Sequence, residues 1–292
     1  MSSFTNKIDF AVVVSAKKAN PNGDPLNGNR PRENYDGFGE ISDVCIKRKI
    51  RNRLQDLGKE IFVQSDERRT DECRSLKDRA DACDELKKVI KDKEQYAKVA
   101  CEKWIDVRSF GQVFAFKGKD KDKEKEDESV SIGIRGPVSI HSAVSASPIE
   151  ISSMQITKSV NSETDKKNPD KKSADTMGMK HRIEFGLYTI YGSINHQLAT
   201  KTGFNDDDAE LIKHALRTLF ENDCSSARPD GSMEVLKVYW WKHNCPNGQF
   251  SSAKVHKSLR IKAIKDEPKD FSDYDINVEE LNGLKLEVYD GI

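Results

Sequence analysis

The sequence predicts an α+β fold: a strand, helix, strand, strand, helix, strand plan interrupted by polar insertions. Three observations lead there. Apolar residues alternate with period two over Ile8–Ser15 and over Val235–Trp241, the mark of strands with one buried face. They recur at helical spacing in two stretches, Ile46, Ile50, Leu54 and Leu57, then Leu211, Ile212, Ala215, Leu216 and Leu219, each long enough to bury one helix face. Between the regular stretches lie charged or turn-rich segments too polar to enter a core.

Taken in order, Ile8–Ser15 is the first strand, with Ile8, Phe10, Val12 and Val14 on one face and Asp9 opposite. Residues 20–32 are crowded with Asn, Pro and Gly and predict a long ordered or ligand-gripping loop rather than a helix. Ser42 or Asp43 caps a helix that reaches Leu57 before Gly58. Thr70–Lys103 is charged and helical, with a narrow stripe of Leu76, Ala80, Cys83, Leu86 and Ile90. After the apolar stretch Phe110–Phe116, residues 117–128 are nearly pure alternating charge and predict a mobile loop. Ile132–Ile140 is a short strand kinked at Arg135-Gly136-Pro137. Residues 152–182 form an insertion with apolar flanks and a lysine-rich centre, as in a hairpin-like finger with a disordered tip. Ile183–Ile194 is a long strand in which Gly186 and Gly192 mark bulges or close approach. Asn205 caps the clearest helix, and Asp206, Asp207 and Asp208 suit its positive end. In the strand Val235–Trp241, Leu236, Val238 and Trp240 share one side; a helix and an edge strand at Lys285–Tyr289 complete the chain. Without the insertions the order is the split βαβ plan of ferredoxin-like domains. RNA recognition motifs share it and bind single strands across an open sheet, although many unrelated functions use the same plan.

Composition bounds the rest. The 292 residues are 36% hydrophobic and 34% charged, with a mean hydropathy of −0.74, which predicts one elaborated domain over 1–292 with a compact centre. The 49 basic and 49 acidic residues cancel, but a neutral total does not exclude a local basic stripe. Met1–Asp9 has no apolar stretch of signal length and no later run could span a membrane, so a soluble, cytoplasmic protein with no membrane contact is expected. The six cysteines form no Cys-x-x-Cys pair. Cys224, His243, Cys245 and His256 lack ligand-type spacing, and reduced structural residues are the expected reading, with no metal and no cofactor.

Binding residues stand out more than catalytic ones. Lys47, Arg48, Lys49, Arg51 and Arg53 crowd one helix with no acid between Asp43 and Asp56. Lys47, Arg48 and Arg51 flank the apolar stripe on one side, Lys49 and Arg53 on the other. Cations so placed can follow a phosphate backbone while the stripe holds the helix; the alternative is a solvated basic face. The loop residues Asn20, Asn22, Gly23 and Asp24 offer amides and a close backbone approach. No partner at motif spacing marks Asp24 as a general base or metal ligand, which leaves turn stabilisation. Lys180-His181-Arg182, where the finger returns to the core, could grip a strand with Met177 and Met179 as apolar wedges, or could be a charged finger root. No Gly-rich phosphate loop, nucleophile elbow or metal-binding His pair is present, and no catalytic residue is assigned.

Several stretches, in order over about residues 8–260, resemble one family. They are Asn20–Pro25 with Gly28–Arg32, Ser42–Asn52, Arg108–Gly111, Arg135–Val138, Met177–His181, Gly186–Tyr188, Thr202–Phe204 and Phe220–Asp223. Together they are similar to the backbone subunit of subtype I-C CRISPR Cascade, the Csd branch of the "Cas-seven" RAMP proteins. That resemblance implies an RRM-like palm, a helical web at 58–110 and a thumb at 152–182. It implies a non-catalytic subunit that polymerises head to tail along the guide crRNA and presents it to target DNA in antiviral defence. Large, small and crRNA-processing Cascade subunits would be further partners. The implied RNA contacts are the Asn20–Asp24 loop, the Lys47–Arg53 helix and Arg135. Met154, Lys158, Met177, Lys180, His181 and Arg182 would act from the thumb, and Met179 stands where a basic residue is expected. Related RAMP subunits cut target RNA with an acidic loop residue, so the alternatives are an RNA endonuclease using Asp24, or a general single-strand RNA binder.

Overall fold

The computed structural model describes residues 3–115, 131–158 and 177–292. The charged tract 117–128 and the tip of the finger lie outside the described residues. The first strand, β1, runs Ile8–Ala19, four residues beyond its alternating stretch. The turn-rich segment after it is ordered, with two short strands, β2 (Gly23–Asp24) and β3 (Arg30–Pro31), paired antiparallel. Then come β4 (Phe38–Ile41) and α1 (Asp43–Asp56). Ser42 Oγ accepts the Cys45 amide and so caps α1. Ile46, Ile50 and Leu54 are buried beneath the helix, and Leu57 is half-buried at its end.

The segment expected to be helical over 70–103 holds three helices: α2 (Leu76–Ala82), α3 (Asp84–Lys88) and α4 (Lys93–Lys103). Cys83 is extended and ends the first, and the Asp92 carboxylate caps the third by accepting from Glu94 and Gln95. Ala80, Cys83 and Leu86 are buried as the stripe predicts, whereas Ile90 is exposed because the helical register is lost before it. With α5 (Ile105–Phe110) and the hairpin of β5 (Gly111–Ala115) and β6 (Ser131–Arg135), these helices enclose a small core of their own around Phe62, Trp104 and Phe114.

The kink at Arg135-Gly136-Pro137 separates β6 from β7 (Val138–Ile140), which joins a different sheet. Strands β8 (Ala143–Pro148), β9 (Ile151–Thr157) and β10 (Met177–Ile194) follow. From Met177 opposite Thr157 to Arg182 opposite Ser152, β10 pairs with β9 as a two-stranded finger, and Ile183 pairs both Ile151 and Ala19 of β1. The rest enters the main sheet. A Cβ at Gly192 would collide with the Phe10 ring and lie 2.7 Å from Ser139 O, so this is a close-approach glycine. Next are α6 (His196–Thr202), α7 (Asp206–Arg217) with a full capping box at Asn205 and Asp208, and β11 (Met233–Lys242). The chain closes with α8 (Ser252–Ser258), β12 (Leu259–Ala263), β13 (Tyr274–Val278) and the edge strand β14 (Lys285–Asp290).

The main sheet is antiparallel, in the order β14-β11-β1-β10-β8-β4, with β7 and β9 also paired to β10. Phe10, Val12 and Val14 face α1 and α7 in the larger core, where Phe10 stacks on Trp240 at 5.4 Å. Ala11 and Val13 point the other way, into a core closed by Val255 of α8, Leu259 of β12 and Tyr274 of β13. The open sheet face of an RNA recognition motif is therefore covered here. One facial assignment is also corrected. Val13 pairs Lys237 but Val14 pairs Val235, which leaves Leu236 as an extra residue. This bulge switches parity, so Val235, Val238 and Trp240 share the larger core and Leu236 packs on the opposite side.

Asp9, buried on that opposite side, meets His243 Nε2 at 2.9 Å and Lys7 Nζ at 3.0 Å. His256 Nε2 donates to Gly192 O at 3.0 Å. The two histidines are thus engaged within the fold, and Cys224 is exposed elsewhere. Among the described residues no group of three or more His, Cys, Asp or Glu is placed to hold a metal. None of the described helices is long and apolar enough to cross a membrane.

Candidate nucleic-acid interface

The loop between β1 and β4 is fixed by its own amides. Asn20 N donates to Ala227 O at 2.8 Å and its side chain to Asn29 O at 2.7 Å. Asn22 Oδ1 accepts from both the amide and the hydroxyl of Ser42, at 2.9 and 2.8 Å, and so ties the loop to the start of α1. A Cβ at Gly23 would collide with the Asn29 side chain. Asp24 accepts from Leu26 N at 3.2 Å and from Arg32 at 3.4 Å, so its carboxylate stabilises the turn. The four loop residues singled out by sequence are therefore brought together, mostly as the scaffold of the loop.

Two arginines of that loop, Arg30 and Arg32, were not in the expected contact set although both lie in the stretches that carry the resemblance. Arg30 donates to Ser153 Oγ at 3.2 Å, and Ser153 Oγ lies 2.8 Å from His181 Nδ1. This chain of contacts joins the loop to the root of the finger. Their signal in the sequence was two arginines separated by a proline after Gly28-Asn29, a pattern that fixes the backbone and leaves the side chains to project.

The register of β9 and β10 sorts the finger by face. Directly opposed residues share a side, so Met154, Ile156, Lys180 and Arg182 lie on one face and Met177, Met179 and His181 on the other. Lys180-His181-Arg182 is accordingly split: two cations point one way and His181 points toward Arg30. Met177 and Met179 are 65% and 55% exposed, and Lys158 is exposed at the end of β9. Arg135 is exposed where β6 pairs Gly111.

The α1 cations differ from the isolated patch that their sequence suggests, because tertiary contacts bring acids to Lys49, Arg51 and Arg53, while Lys47 pairs within its own helix. Lys47 pairs Asp43 at 2.9 Å; Arg51 pairs Asp106 at 3.0 Å and lies 5.0 Å from the Phe110 ring. Lys49 pairs Asp223, which also binds Arg228 at 3.0 Å. Arg53 reaches Asp56, Glu221 and Thr218. Arg48 alone of the five has a carbonyl partner, Val63 O at 2.6 Å. Burial, then Arg51, pushes the Arg48 pKa down; burial also lowers that of Lys49, with Asp223 opposing. Lys49 and Arg53 are buried, while Lys47, Arg48 and Arg51 are half-buried.

Fold and surface together describe an α+β protein with a cationic loop set against a projecting hairpin. The family model for CRISPR-associated protein Cas7 matches residues 6–279. A CRISPR-associated protein Cas7 from Haloferax volcanii is 27% identical over 240 residues, which cover 80% of this chain and 69% of that protein. A chain of a CRISPR RNA-guided surveillance complex, pre-nicking, superposes with a TM-score of 0.44 at 13% identity, over 80% of this chain and 78% of its own. A chain of a CRISPR RNA-guided surveillance complex gives 0.38 at 15% identity, over 80% and 68%. The chain belongs to the CRISPR-associated protein Cas7 family.

Proposed function

We propose that this chain is a non-catalytic backbone subunit of a subtype I-C Cascade, polymerising head to tail along guide crRNA in the cytoplasm and presenting it to target DNA. The observation that carries the reading is the family match over residues 6–279. The strand order β11-β1-β10-β7, with α1 and α7 on one face, supports a ferredoxin-like palm. Residues 58–110, which hold a separate small core, would be the web, and 152–182 the thumb. Head-to-tail contact of identical subunits is heterologous and gives a helical filament, with the large, small and crRNA-processing subunits at its ends and flank. The guide would be held by its backbone and shape, with sequence read by base pairing.

In this reading Arg30, Arg32, Lys47, Arg48 and Arg135 meet guide phosphates on a loop built by Asn20, Asn22, Gly23 and Asp24. Lys49, Arg51 and Arg53 hold α1 in place. The finger offers Lys158, Lys180, His181 and Arg182 to the backbone, with Met154 and Met177 as apolar contacts beside a displaced base. The test is co-purification from cells that express a CRISPR array. Intact RNA of uniform length, each carrying one spacer, in a large particle is the expected result. RNA of random sequence would overturn the reading in favour of a general binder, and metal-dependent cleavage abolished by Asp24→Ala would overturn it in favour of a nuclease.

A further inference from the structure

Between Glu234 and Asp266 the sequence has seven lysines and arginines and no acid. The fold neutralises part of this surplus. Lys237 pairs Asp290, Lys242 pairs Glu287 and Lys265 pairs Asp273, and Lys262 stands opposite Asp275 across β12 and β13. The remainder converges. Lys254 and Lys257 of α8 and Arg260 of β12 line one groove of about 440 Å³. All three are exposed. Among the described residues neither lysine has a carboxylate partner, and Lys254 lies 4.6 Å from the Phe250 ring. The only acid in the lining is Glu279, which meets Arg260 at 3.1 Å in a pair open to solvent on both sides and hence weak.

This groove lies on the far side of the sheet from α1. Helix α8 is anchored by Val255 in the core that holds Ala11 and Val13, whereas α1 and α7 pack over Val12 and Val14. A strand held by the loop and α1 would not reach it.

We propose that the α8–β12 face is a second nucleic-acid surface, one that takes duplex DNA by its phosphates. This rests on the guide-binding reading, in which a guide occupies the other side. The chemistry favours a duplex. The lining has no aromatic ring, the platform on which single strands stack their bases. Lysines act as point charges on phosphates, and Lys254 and Lys257 are one helical turn apart, about 4.5 Å along the axis, so they can meet neighbouring phosphates. Leu281 is the one large apolar residue in the lining, too little for the apolar centre of a protein interface.

The test uses the guide-loaded particle and the isolated full chain, each with a labelled duplex that does not match the guide, over a salt series. Lys254, Lys257 and Arg260 are all changed to Ala; being exposed, they leave folding intact. The variant is expected to retain its guide RNA, to bind the duplex at least about tenfold more weakly, and to lose about one unit of log–log salt slope per cation removed. Unchanged affinity and slope would overturn the proposal. So would loss of guide RNA, which assigns the surface to the guide, or loss of a protein component with duplex binding intact, which makes it a subunit interface. If the wild-type particle carries no guide while duplex binding by the chain still depends on the three cations, the guide reading fails and this surface stands.

Discussion

Asp106 offers the sharpest test of how α1 is held. Its carboxylate is 1% exposed and accepts from Phe62 N at 2.8 Å, Val63 N at 3.0 Å and Arg51 Nε at 3.0 Å. Asp106→Ala removes all three contacts. Each orphaned buried amide costs about 1–3 kcal/mol. Stranding Arg51, whose side chain is 13% exposed, costs about 3–5 kcal/mol by analogy with broken buried pairs. These figures overlap, because the pair is itself a hydrogen bond, so the expected loss is about 4–6 kcal/mol rather than their sum. That is a large share of a typical domain stability of about 5–15 kcal/mol. Asp106→Asn keeps the shape and some acceptor capacity, and about half that loss is expected. Urea unfolding with unchanged m-values measures both variants. The double variant Arg51→Met with Asp106→Asn removes the stranded charge and should be more stable than the two single losses predict. An Asp106→Asn midpoint within about 0.5 kcal/mol of wild type, or strict additivity in the double variant, would refute the argument.

Three further outcomes follow from the same structure. Gly192→Ala places a methyl group against Phe10 and should cost about 1–3 kcal/mol, read as a lowered thermal midpoint. His256 has a pKa pushed down by burial, with Asp9 and Gly192 O opposing and His141 and Lys7 reinforcing. The unfolded state therefore binds a proton before the native state does, so stability present above about pH 6.5 falls on acidification below it. Urea midpoints between pH 7 and pH 5 should show the slope, and His256→Gln should flatten it. Arg30→Ala should leave the urea midpoint within about 0.5 kcal/mol yet flatten the salt slope of guide-RNA binding by about one; an unchanged slope would remove Arg30 from the interface.

Much of the fold was legible because its signals are local. Ser42 and Gly58 bracket α1, which was read to within a residue at both ends, and Asn205 with three aspartates marks the start of α7, whose helical face was carried to Leu219, two residues past its end at Arg217. What was missed depends on partners distant in sequence. Lys49 meets Asp223 across 174 positions and Arg51 meets Asp106 across 55, so a helix with no internal acid looked unneutralised. The bulge at Leu236 has no mark in its own strand, since only the pairing with Val13 and Val14 reveals it. The covered sheet face depends on α8 and β12–β13, short elements of weak periodicity near the end of the chain. In the loop, Asn20, Asn22, Gly23 and Asp24 are residue types that build tight turns, whereas the placement of Arg30 and Arg32 depends on Ser153 and Asp24, contacts that the local sequence does not mark.

The buried cations and the loop make one mechanical unit, which changes what α1 contributes. Its ion pairs reach two separate parts of the chain: Asp106 in α5, and Asp223 and Glu221 in the turn after α7, where Thr218 Oγ1 also accepts from Arg53. That same turn accepts the Asn20 amide at Ala227 O, and Asn22 is bonded to the residue that caps α1. Moving the loop therefore requires breaking contacts to α1, to the turn, or to both. A surface anchored in this way presents Arg30 and Arg32 without a further loss of backbone entropy on binding. In the proposed interface, the internally paired cations of α1 act indirectly, by fixing the loop that carries the half-buried Arg30 and Arg32.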